Sequence, residues 1–219
     1  MSPNKALENR SNSISGFTLA AGGYALVGGL LSLLGWVLNI PRLTDWNNEG
    51  ISIKANTAIC ITAAGAGLII SLLRPRYKLL IRILAAAAAV VAGLTLFEHI
   101  SGIDLGIDTL LFHEPLGAKA TSSPGRMGIP ASTAITSIGV GLFLSTFRDR
   151  KRQWASIFGT LAFCISTLSL TGYLFGANQL YAIPRYTGIA LQTATMAPIG
   201  WKGPAAFLPR TRQWPGSSH

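Results

Sequence analysis

Glu98, His99, Asp104 and Asp108 form the densest group of side chains able to do chemistry in this sequence. Three carboxylates and an imidazole at this spacing could hold a metal ion or a proton. The competing reading is structural. Asp104 and Asp108 stand at i and i+4, which puts them on one face of a short, solvated helix. No second histidine stands at ligand spacing, His113 being isolated, so the residues disfavour a metal site and argue against catalysis. Haem would want histidine inside an apolar segment, whereas both candidates sit at or beyond a segment end. No cofactor is evident. Cys60 and Cys164 lie within apolar runs without metal spacing and read as small packing residues.

A second pattern recurs three times. Asn56-Thr57-Ala58, Ser132-Thr133-Ala134 and Gln192-Thr193-Ala194 each stand near the start of an apolar run. A polar residue followed by Thr at a helix start suits capping. Thr57, Thr133 and Thr193 could line a ligand cleft, but helix packing is the favoured reading, because Thr hydroxyls bond back to the backbone or across helices. A third feature, Arg148-Asp149-Arg150-Lys151-Arg152, reads as an anchor on an anionic leaflet. The residues that would serve are Arg148, Arg150, Lys151 and Arg152.

The elements that must position these groups are set by hydropathy. Of the 219 residues, 49% are hydrophobic and only 12% charged, about half the charged fraction of a soluble domain. The spacing predicts an all-α membrane protein with six transmembrane helices. They run over 17–38, 56–73, 79–97, 127–147, 154–175 and, short or broken before Pro198 and Gly200, 187–199. Residues 1–16 read as a cytoplasmic N-terminal segment, 17–201 as the membrane domain and 202–219 as a cytoplasmic tail. Residues 1–16 are polar and the first apolar run is long for a signal peptide, so no cleavable leader is expected.

The net charge of +10 would suggest nucleic acid in a soluble chain. Here Lys and Arg cluster beside apolar runs, which points to an anionic leaflet and not to nucleic acid. With six spans, thirteen basic residues fall on one side against only Glu8 and Asp149, while the other side is nearly balanced. That bias places both termini in the cytoplasm. The longer connections, at 39–55, 98–126 and 176–186, then lie outside. Residues 103–112 suit a short interfacial helix, and Trp36, Trp46, Tyr173 and Tyr181 fall near that interface. Gly22, Ala25, Gly29, Gly65, Gly67, Ala89, Gly93, Gly139 and Gly141 allow close helix approach.

The threefold recurrence groups the helices as three hairpins. The segment Thr95 to Asp108, followed by Pro124-Gly125-Arg126-Met127, resembles the N-terminal membrane sensor region of some bacterial histidine kinases and diguanylate cyclases. Gly172-Tyr173-Leu174-Phe175-Gly176 and Thr187 to Ala194 fit the same pattern, and the resemblance covers residues 17–197. It implies a bacterial inner-membrane protein. In that family the last helix leads into a signalling domain, whereas this chain turns at 196–200 with no kinase, cyclase or PAS sequence after it. The expectation is therefore a non-enzymatic accessory subunit that packs against other membrane protein subunits, for example in a photosynthetic or respiratory complex. The alternative is a sensory input module without its catalytic half. A transporter is disfavoured, since the spans hold almost no ionisable residue at mid-depth.

Overall fold

A computed structural model describes residues 3–46, 48, 50–112, 114, 123–147, 150–175 and 191–196. Among these residues there are helices and no strand. The helices are α1 (Pro3–Val37), α2 (Pro41–Thr44), α3 (Ala55–Leu73), α4 (Lys78–Ser101), α5 (Ile129–Ser145), α6 (Arg150–Leu174) and α7 (Leu191–Met196).

The sequence explains their limits. Between Ala55 and Leu73 there is no charged residue, and α3 stops at Arg74 ahead of Pro75. Helix α4 ends where Gly102 adopts the left-handed conformation (φ 72°) and donates its N–H to the Glu98 carbonyl. Helix α5 opens with Pro130 in its first turn, where a missing N–H costs nothing.

Four stretches are long and apolar enough to cross a bilayer: Ser15–Val37, Ala55–Leu73, Lys78–Ser101 and Gln153–Gly172. This is a multi-pass membrane protein. Helix α5 is apolar but has 17 residues. At about 1.5 Å per residue it falls a few ångströms short of a roughly 30 Å hydrocarbon core. Of the expected sixth span only α7, six residues long, is described; 187–190 and 197–199 lie outside the described residues. The helical backbone runs unbroken from Pro3 into the first apolar stretch, which begins at Ser15.

Neighbouring helices pack antiparallel, α1 on α3, α4 on α5 and α5 on α6, with α3 also against α4 and α5. The register is visible in the small residues. Gly22 lies against Gly65 and Ile69, and Gly29 against Ala58 and Thr62. At Gly139 a Cβ atom would come 2.7 Å from the Ala89 nitrogen and 2.8 Å from the Ala85 carbonyl oxygen, so α4 and α5 meet at backbone contact. Helix α7 sits against α1, α3 and α6, with Met196 over Gly28 and Thr195 bonded to Tyr24. The described residues of 38–54 and 102–128 share one end of the bundle. The α3–α4 turn, with Arg74, Arg76 and Lys78, lies at the other.

Candidate functional site

The loop end is closed by a cap of buried charges. Arg126 is its centre. Its Nε donates to Asp108 Oδ2 at 2.6 Å and an Nη to Asp104 Oδ1 at 3.1 Å, with Glu98 Oε1 at 3.5 Å. Glu98 projects from the last turn of α4 and is 1% exposed, while the Asp104 side chain is 73% exposed. Glu98 Oε1 also accepts the Leu105 N–H, and Asp104 Oδ1 accepts the Gly106 N–H. The two carboxylates thereby shape the backbone that follows α4.

That backbone is not a helix. The expected helix over 103–112 is replaced by turns, because Gly102 and Gly106 both take positive φ. Asp104 and Asp108 converge through Arg126 and not through a helical face. Gly125 makes the approach possible: its φ is +73°, and a Cβ there would overlap the Asp108 carbonyl.

A second ion pair lies beside the first. Buried Lys54, the residue before α3, pairs with buried Glu114, which also accepts from Ser52 Oγ and the Gly125 N–H. Burial lowers the Lys54 ammonium below its ordinary pKa, opposed by the charge and hydrogen bond of Glu114. For Arg126 burial acts in the same direction, but the hydrogen bond and charge of Asp108, then Glu98 and Asp104, outweigh it and raise its pKa. Asn56 Nδ2 donates to the Ile107 carbonyl. Trp36 Nε1 donates to the Ile53 carbonyl, and its ring meets Phe112. The cap thus ties α1, α3, α4 and both loops together.

Of the four residues expected to cluster, Glu98, Asp104 and Asp108 do, with one oxygen from each within 4.8 Å of the others. His99 does not join them. Its Nε2 meets the Met127 carbonyl at 2.7 Å, so it braces the loop ahead of α5. Hard cations bind oxygen clusters of this size, but these carboxylates already surround the guanidinium of Arg126. Sequence reasoning missed the partners Arg126, Lys54, Glu114 and Asn56. The available signal was that Lys54 and Arg126 each stand just ahead of an apolar run, where an unpaired cation would be costly.

The three repeated triplets share one placement. Ala58, Ala134 and Ala194 are fully buried; Thr57 and Thr193 are buried and Thr133 is half-buried. Capping, however, is not their role at α3 and α5. The residues at those N-caps are Lys54 and Gly128, without side-chain cap bonds, because the helices begin before the triplets. Instead Ser132 and Thr133 bond back to the Ile129 carbonyl, and Gln192 Nε2 reaches the Thr44 carbonyl. Arg150, Lys151 and Arg152 form the first turn of α6, and Arg148 lies outside the described residues. At the same end Arg82 Nε bonds Thr146 Oγ1 and its guanidinium lies over the Phe147 ring.

No family model matches the chain, and neither a curated protein nor a solved structure matches it.

Proposed function

We propose that this chain is a non-catalytic subunit that packs against other proteins within a larger membrane assembly. The observation that carries this reading is the outward face of α6. Its inward face, Ala155, Gly159, Ala162, Ser166 and Ser169, is buried. The opposite face is exposed and carries Thr160, Cys164, Thr167 and Thr171 in one row, with Ile157, Leu161 and Leu168 on one side of it and Phe163 and Leu174 on the other. A groove of small residues between apolar ridges is what a close-packed helix partner requires, and lipid does not. The exposed face of α4, by contrast, is aliphatic and aromatic, with Leu79, Ile83, Val90, Leu94 and Phe97.

The same reading takes the chain as three hairpins crossing a bacterial inner membrane six times. The bias of basic residues toward the α3–α4 and α5–α6 connections supports cytoplasmic termini. The rival is a sensory input module of a signal-transduction protein. It draws on the 95–108 and 124–127 segments, which supply the cap residues Glu98, Asp104, Asp108 and Arg126.

Cys164 is exposed and Cys60 buried, which gives a direct test. A membrane-permeant thiol cross-linker applied to native membranes should join Cys164 to a different polypeptide, and mild-detergent purification should retain that polypeptide. Thr160→Leu with Thr167→Leu should release it while the chain stays folded. A chain that always purifies alone and cross-links to nothing sinks the proposal.

A further inference from the structure

Among the described residues, the buried part of the cap is one positive charge short. Arg126 supplies a single cation to Glu98, Asp104 and Asp108, and Lys54 is engaged by Glu114. Asp104 is exposed and shares its charge with solvent, but Glu98 and Asp108 are buried. One oxygen of Glu98 lies within 4.8 Å of one oxygen of Asp108. Each also keeps one oxygen, Glu98 Oε2 and Asp108 Oδ1, with no hydrogen-bond partner. Ionised carboxylates only accept hydrogen bonds, so two this close repel and leave those oxygens desolvated without compensation.

We propose that Glu98 and Asp108 form a proton-binding site, holding one proton between their carboxyl groups. A proton there makes one carboxyl a donor to the other and cancels the excess charge beside Arg126, as happens when carboxylates share a site. A metal ion fits less well, because a hard cation seeks about six oxygens and the guanidinium already stands among these three residues. The other described charged groups near the pair have partners of their own. His99 is turned to the Met127 carbonyl, and Lys54 and Glu114 are held on the far side of Gly125. The route for the proton is the Asp104 side, which is open to solvent.

The proton is bound by the folded chain and released on unfolding at neutral pH. Stability therefore falls as pH rises through the titration of the pair, with the unfolding equilibrium constant rising by up to about tenfold per pH unit. The test is infrared spectroscopy and thermal unfolding of the full chain in lipid nanodiscs across the neutral-to-alkaline range. The wild type should show a carboxylic-acid carbonyl band at neutral pH that disappears as pH rises. E98Q and D108N should each abolish the band, because the remaining carboxylate pairs with Arg126, and each should flatten the stability slope. Absence of the band at neutral pH overturns the proposal, as does a band and slope unchanged in both variants. A band displaced by added calcium, with gain of stability, overturns it in favour of a cation. If one variant fails to fold the other decides, and if both fail the wild-type band and its response to pH and calcium decide.

Discussion

The charged cap and the α4–α5 seam are both buried, yet they are built on opposite principles. In the cap, buried charges are fixed by named partners: Arg126 by three carboxylates, Lys54 by Glu114. Along the seam, Ala85, Ala88 and Ala92 are almost wholly buried and Gly139 lets the backbones touch. The cap is determined by who pairs with whom, the seam by how little volume lies between two helices. Loss of a partner should therefore wound the cap, while added volume should wound the seam.

The largest effect should come from Arg126→Met. It leaves Glu98, Asp104 and Asp108 facing one another without a cation. Breaking a buried ion pair on one side costs about 3–5 kcal/mol. Thermal unfolding in nanodiscs should show this loss, largest at high pH, where the carboxylates are fully ionised. A mild effect at every pH would mean that the cap is held by its backbone turns.

Lys54→Met should follow, at the lower end of about 3–5 kcal/mol, since Glu114 keeps the Gly125 N–H and Ser52 hydroxyl. The double change Lys54→Met with Glu114→Met separates pairing from packing. Removing both charges should cost less than removing Lys54 alone. If the double variant is the less stable one, Glu114 holds the cap through the Gly125 N–H and the Ser52 hydroxyl even without its cation.

Next is Gly139→Leu, expected to cost about 1–3 kcal/mol by overpacking and to part α4 from α5. A cysteine pair at positions 93 and 136, which face each other across the seam, should lose cross-linking efficiency. An unchanged midpoint would show that the helices can separate freely, and that the close approach is not needed for the fold.

The same contrast governs what the sequence could reveal. Long uncharged runs such as 55–73 must be helical in a bilayer, since every backbone group needs an internal partner there. Those elements were therefore readable. Small residues also showed that helices could approach closely, without showing which helices meet. The cap was only half readable. Glu98, Asp104 and Asp108 were visible as a group because they are close in sequence. Their cation comes from Arg126, 18 residues beyond Asp108, and no local periodicity connects them. Spacing at i and i+4 also suggested a helix over 103–112, where the positive φ of Gly102 and Gly106 decides otherwise. Glycine tolerates both signs of φ, so its presence alone did not choose between turn and helix.

The smallest effect should come from Thr133→Val, and its smallness is informative. Were Thr133 a helix cap, loss of the hydroxyl would cost about 1 kcal/mol. Its Oγ1 instead donates to the Ile129 carbonyl at 2.7 Å, a group that α5 already uses as an ordinary helical acceptor. Valine keeps the branched shape and surrenders only this extra bond, so the change should stay within about 0.6 kcal/mol, the usual worth of such bonds within membranes. Thr133→Leu keeps no hydroxyl either but adds bulk to a half-buried site one residue from fully buried Ala134. If the valine variant is near wild type and the leucine variant is not, the repeated triplet works by shape. That would place it with the seam and apart from the cap, although it stands within a few residues of both.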